Sequence, residues 1–155
     1  MSIRHFLAAL FATLLITGCG EGRRDYSRWD NIPAAGWAYG DTLRLLPADT
    51  TLTGNDSIVA RPLTLGIVHS GDYAYSNLWL EVTYHGDHHL YRDTVNIPLS
   101  DVYGRWLGQG FGSEYQREVA LSPKADIDLT RPVEVRHIMR IDTLRHITRI
   151  GIAVK

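Results

Sequence analysis

The chain has 155 residues, a formal net charge of −1, 45% hydrophobic and 21% charged residues, and one cysteine. That apolar share with nearly balanced charge excludes a disordered chain, which is polar and carries an excess of one sign. One cysteine cannot close an internal disulfide, and the basic excess that nucleic acid demands is missing, so neither a disulfide scaffold nor a nucleic-acid binder fits.

Residues 1–18 read as a lipoprotein signal peptide outside the fold. Arg4 supplies the positive start, and Phe6 to Ile16 form an apolar run broken only by Thr13. The run falls well short of the ~20 residues that a bilayer-crossing helix needs and suits the apolar centre of an export signal. Ile16-Thr17-Gly18-Cys19 then gives a branched apolar residue, two small residues and Cys. This order resembles a bacterial lipobox. The plainer reading is an ordinary signal with an incidental Cys, but charge, run length and small residues agree with the lipobox. The resemblance implies a diacylglyceryl group on the Cys19 sulfur, with Cys19 the first residue of the mature chain. Acyl chains would hold the protein to a membrane, each buried methylene contributing ~0.8 kcal/mol. Gly20 rather than Asp follows, which directs the expectation to the outer membrane.

Residues 19–25 are expected to be a lipidated tether, polar and glycine-containing from Gly20 to Asp25. Residues 26–155 are expected to fold as a single antiparallel β-sandwich domain of about eight strands, a length that supports one core. The alternations come in chain order. Leu63, Leu65, Ile67 and His69 share one parity. Leu78, Leu80, Val82 and Tyr84 share the next, against Trp79, Glu81 and Thr83. Tyr91, Val95, Ile97 and Leu99 follow, and Phe111 to Leu121 reads as one further run on odd positions. Val133, Val135, His137 and Met139 precede Ile150, Ile152 and Val154. A period of two places each set on one face of a sheet. Hairpin turns are expected at His85-Gly86-Asp87-His88 and at Ser70-Gly71-Asp72. Single helical turns are expected within Leu99 to Leu107 and within Ile138 to His146.

Three groups of residues carry possible chemistry. His85, His88 and His89 surround Asp87, and imidazoles suit zinc, copper or nickel. A solvated hairpin tip is the simpler reading, because a ligand set needs fixed geometry and a supporting shell. Gly104 to Gly112 contains GxGxG but lacks the βαβ setting and the Lys-Ser/Thr pair of a phosphate loop, so it reads as backbone that needs positive φ, a bulge or close approach beside Trp106 and Phe111. The third group is the aromatics: Tyr73, Tyr75 and Trp79, then Trp29, Trp37 and Tyr39, which serve either a core or a binding face. No G-x-S-x-G elbow and no H-E-x-x-H is present, and the expected protein is not an enzyme. Arg136, Arg140, Arg145 and Arg149 read as solvated strand edges and a turn, where charge discourages pairing, with a charged partner surface as the alternative.

Three stretches together resemble the gliding-motility lipoprotein family GldH of Bacteroidetes-type bacteria. They are HSGDYAYSNLWL from His69 to Leu80, GRWLGQGFGSEY from Gly104 to Tyr115, and RHIMRIDTLRHITRIGI from Arg136 to Ile152. Two departures stand out. Ala74 occupies a place where the family favours Pro, and Arg145 one where Gly is frequent. The resemblance implies a non-catalytic component of the cell envelope, associated with gliding machinery and type IX secretion. It implies no cofactor and two kinds of partner, a membrane reached through the lipid and an envelope protein complex. His69 to Asn77 and Gly104 to Gly112 are the expected partner-facing segments, with Tyr73, Tyr75, Asn77, Trp106 and Phe111 as the contact residues. The alternative is a glycan-binding lipoprotein that stacks sugars on Trp37 and Tyr75.

Overall fold

The computed structural model describes residues 26–45 and 58–154, so the expected signal peptide, Cys19 and the expected tether lie outside the described residues. The described chain is built of strands. β1 (Tyr26–Asn31), β2 (Trp37–Ala38) and β3 (Leu43–Leu45) precede the long β4 (Ile58–Ser70). Then come β5 (Asn77–His85), β6 (Leu90–Pro98), β7 (Gln109–Phe111) and β8 (Glu114–Asp128). The last three are β9 (Val133–His137), β10 (Thr143–Leu144) and β11 (Ile147–Val154).

They form a five-stranded sheet in the order β1-β11-β4-β8-β7 and a four-stranded sheet in the order β3-β9-β5-β6. A two-stranded ribbon, β10-β2, completes the set. Every pairing is antiparallel. The all-β antiparallel sandwich expected from the alternations is therefore the fold. Leu63, Leu65 and Ile67 of β4 and Ile150, Ile152 and Val154 of β11 turn inward. They meet Leu78, Leu80 and Val82 of β5 and Val133 and Val135 of β9 in one buried core. Such alternating inner faces are what two stacked sheets share between them.

The outer face of the five-stranded sheet holds a second packing motif. Trp29, Gly151 and Gly66 lie side by side in register across β1, β11 and β4. The indole lies flat over both glycines: a Cβ on either would come within 2.3 Å of a ring atom. Arg149 adds its guanidinium over the same ring at 5.9 Å. Trp29 is thus a packing residue of the sheet's outer face.

Four expectations change. The Ser70-Gly71-Asp72 turn is present, but it passes the chain from one sheet to the other rather than closing a hairpin. The Phe111 to Leu121 run is two strands, because Gly112 at φ 64° reverses the chain and pairs β7 with β8. Leu99 to Leu107 holds no helical turn: it folds back on itself, with the Leu107 N–H donating to the Leu99 carbonyl at 2.8 Å. Ile138 to His146 is likewise bends and β10. The His85 to His88 expectation stands as a hairpin, closed by Gly86 N–H to the His89 carbonyl at 2.8 Å.

Candidate functional site

At one end of the sandwich β4 finishes, the 71–76 crossover begins, β6 exits and the β7–β8 hairpin turns. His69, the last core-parity residue of β4, lies at the centre. Its ring packs edge-on to Trp106 with centroids 4.6 Å apart, stacks on Tyr115 at 5.6 Å and tilts against Tyr73 at 5.7 Å. Tyr75 extends the cluster, meeting Tyr73 edge-on at 5.6 Å. Offset and edge-on ring pairs stabilise beyond the area they bury.

His69 is fully buried. Its Nδ1–H donates to the Ser70 carbonyl at 2.9 Å, which leaves Nε2 buried with no hydrogen-bond partner. Burial lowers its pKa, only partly opposed by the Ser70 hydrogen bond. A neutral ring filling an aromatic box is what this site requires. Tyr73 donates its hydroxyl to the Asn77 carbonyl at 3.0 Å, and burial, with Tyr75 nearby, raises its phenol well above the ordinary range.

The structure therefore brings Tyr73, Tyr75 and Trp106 together, in unequal roles. Tyr73 is only 4% exposed, so its placement as a contact residue is corrected: it supports the end from beneath. Trp106 is half-buried and Tyr75 reaches the surface. Asn77 uses its amide internally, donating to Asn96 Oδ1 at 2.7 Å. Phe111, 63% exposed, stands at the tip of the β7–β8 hairpin, which is tied to this end by the Gly71 N–H donating to the Ser113 carbonyl.

Two prominent residues of this end escape a reading of alternation. Val102 and Tyr103 are 93% and 81% exposed on the loop between β6 and β7. The loop is stapled by Asp101. Its Oδ1 accepts the N–H groups of Tyr103 and Arg105, each at 2.9 Å, and its Oδ2 accepts Arg105 Nε at 2.7 Å. The Asp101 N–H donates to the Arg105 carbonyl at 2.9 Å, and the Gly104 N–H to the Asp101 carbonyl at 3.0 Å. Gly104 takes φ 79°, and the Arg105 guanidinium lies over the Tyr103 ring at 5.5 Å. The backbone N–H of Arg105, with its side chain and the Tyr103 N–H, holds the Asp101 carboxyl below its usual range. Asp at the first position and Gly at the fourth is a recognisable turn signature, and D-V-Y-G carried it.

The other nominated residues lie elsewhere. His88 Nε2 is 3.0 Å from Asp87, His85 Nδ1 is 3.4 Å from Arg131, and His89 tilts toward Tyr91. The three imidazoles face different neighbours, and no group of three metal-ligand side chains gathers among the described residues. Trp37 is 1% exposed, its indole N–H donating to the Asp41 carbonyl at 3.0 Å and its ring edge-on to His137. This corrects its role as a sugar platform, since a stacking face must be open. A hollow of about 270 Å³ on the outer face of the four-stranded sheet is lined by Thr42, Glu81, Thr83, Arg92, Glu134 and Arg136. Its carboxylates face guanidinium groups: Arg136 grips Glu81 through two bonds of 2.9 and 3.1 Å, and Arg44 meets Glu134 at 3.1 Å. The Arg136 hydrogen bond lowers the Glu81 pKa, and burial partly opposes it.

In comparison with known proteins, the family described as GldH lipoprotein matches residues 24–154, nearly all of the chain beyond the N-terminal apolar run. No curated protein and no solved structure matches the chain.

Proposed function

We infer that this chain, which belongs to the GldH lipoprotein family, is a lipid-anchored, non-catalytic accessory component of an envelope assembly for gliding and type IX secretion. The family match over residues 24–154 carries the reading. The Ile16-Thr17-Gly18-Cys19 sequence supports lipid attachment at Cys19, and Gly20 supports residence in the outer membrane. Residues 20–25 give a short reach from the lipid to β1. The sandwich then presents its aromatic end, with Tyr75, Trp106 and Phe111, to a protein partner. The charged groups support a structural role, because Glu81 with Arg136 and Asp101 with Arg105 are engaged with each other.

Metabolic labelling with a fatty-acid analogue tests the anchor. Label is expected in the wild-type protein and absent from Cys19→Ser, which should accumulate unprocessed. A free Cys19 thiol in the membrane-purified protein overturns lipidation. A strain lacking the protein is expected to lose gliding, secretion or envelope integrity, and restoration should require Cys19. If all three are unchanged in that strain, the accessory role is wrong.

A further inference from the structure

We propose that the Asp101–Arg105 loop is a preformed docking finger whose Val102 and Tyr103 side chains insert into an apolar cleft of another envelope protein. This rests on the accessory role inferred above and assigns it a contact. Solvent-facing apolar side chains on loops are ordinary when single. Here two adjacent ones project from a loop held by five hydrogen bonds within five residues, three of them accepted by the Asp101 carboxylate and so charge-assisted. Such a loop loses little conformational freedom on binding, and preorganisation of this kind raises affinity without new contacts. A Tyr combines large area with few rotatable bonds, and Tyr is enriched among residues that dominate interfaces.

The position of the finger selects the occupant. Tyr26, where the tether joins the domain, pairs with Val154, which pairs with Leu63 near the start of β4's inner run. The finger's base is at the other end: Leu99 and Ser100 donate their N–H groups to the Ser76 carbonyl, and Trp106 packs on His69. From Leu63 to Ser70 a strand rises ~23 Å. The lipid joins at one end of the sandwich and the finger leaves from the other, so the anchoring bilayer is not what covers it.

Among the described residues, the three hollows that a second copy would offer do not match the finger. A protruding apolar tip needs a concave apolar complement for a self-complementary contact. The hollows at Glu81–Arg136, at Gln109–Glu118 and at His85–Arg131 are lined by polar and charged side chains. Arg105 is neutralised by Asp101 at 2.7 Å, so the finger carries no net charge toward its partner. The fitting receptor is therefore an apolar cleft deep enough for a tyrosine, closing on a hydrogen-bond acceptor for its hydroxyl.

The test uses the full-length protein in its own membranes, with photoreactive benzoylphenylalanine replacing Tyr103 or, as a control, the exposed Tyr91. One discrete adduct with a different polypeptide is expected from position 103 and none from position 91. The adduct should vanish in Val102→Asp and fall at least about tenfold in Asp101→Ala, which loosens the loop but keeps both apolar side chains. The captured polypeptide, purified and titrated against the full-length protein, should bind Tyr103→Ser at least about 30-fold more weakly, as expected on losing a dominant contact. Both side chains are solvent-facing, so circular dichroism should be unchanged in these variants. Adducts with lipid, with a second copy, or equally from position 91 overturn the finger, as does an absence of adduct. If Cys19→Ser abolishes labelling while the finger captures nothing, the anchor stands and the finger falls. If the adduct forms without acylation of Cys19, the finger stands alone.

Discussion

The Gly66–Gly151 pair excludes the one thing every other residue would add, a Cβ. Both glycines are buried beneath the Trp29 indole, and neither has a positive φ, so close approach rather than backbone conformation fixes their identity. Gly151→Ala or Gly66→Ala should lift the indole off the sheet and destabilise the domain by about 1–3 kcal/mol, the usual cost of overpacking. Urea unfolding followed by tryptophan fluorescence would read both the midpoint and a change in native emission. An unchanged midpoint would mean that Trp29 swings aside freely. The same scale explains His137. Its Nε2–H donates to the Trp37 carbonyl at 3.0 Å, while Nδ1 is buried without a partner and burial lowers its pKa. His137, like His69, fills core space on an inward position that an aliphatic residue more often takes.

Among the elements, β5 is central to the four-stranded sheet and carries that sheet's clearest charge contact. Glu81 of β5 and Arg136 of β9 stand directly opposite in register, with Arg92 of β6 at 3.9 Å on the other side. The pair is open to solvent on one face, where ion pairs contribute little. A double-mutant cycle of Glu81→Ala and Arg136→Ala should give a coupling below about 1 kcal/mol by denaturant unfolding. A much larger value would show that the network holds the sheet together. How far the elements could be read from sequence follows from their lengths and faces. β5 and β9 bury one parity, and in β11 the apolar Ile150, Ile152 and Val154 share one face, so period two was plain in them. β2, β3 and β10 have two or three residues each, too few for a period to appear. β1 puts Arg28 and Asp30 on its inner parity, where they pair with each other at 3.1 Å, so no apolar rhythm marked it. The β7–β8 reversal was hidden because the odd-position pattern continued through the turn at Gly112. In the site, the aromatics were visible as residue types. Their convergence on His69 depended on a crossover between sheets, which local pattern does not encode. Val102 and Tyr103 lay in a segment expected to hold a single helical turn, although the Asp-x-x-Gly turn was there to read.

At the scale of the whole molecule, two buried imidazoles make stability depend on pH. His69 and His137 both have pKa values lowered by burial, so the folded state holds their neutral forms. The unfolded chain takes up protons near pH 6.5, before the fold does. Stability is thus complete above pH 6.5 and falls as pH drops below it, by at most about 1.4 kcal/mol per pH unit for each histidine. Urea midpoints at pH 7.5, 6.5 and 5.5 should decline in that order, and His69→Leu should flatten the decline. Equal midpoints at all three values would refute the linkage. The arrangement of ends has another outcome, a mechanical one. With lipid on Cys19, as inferred, any pull between membrane and partner enters the domain through the first residue of β1. Its direction runs along the strand axis toward the far end of the sandwich. Six consecutive residue pairs with β11 then resist together by sliding, instead of parting one after another as in a zip. An edge strand clipped onto its neighbours by its own indole is a sound place to fasten a rope.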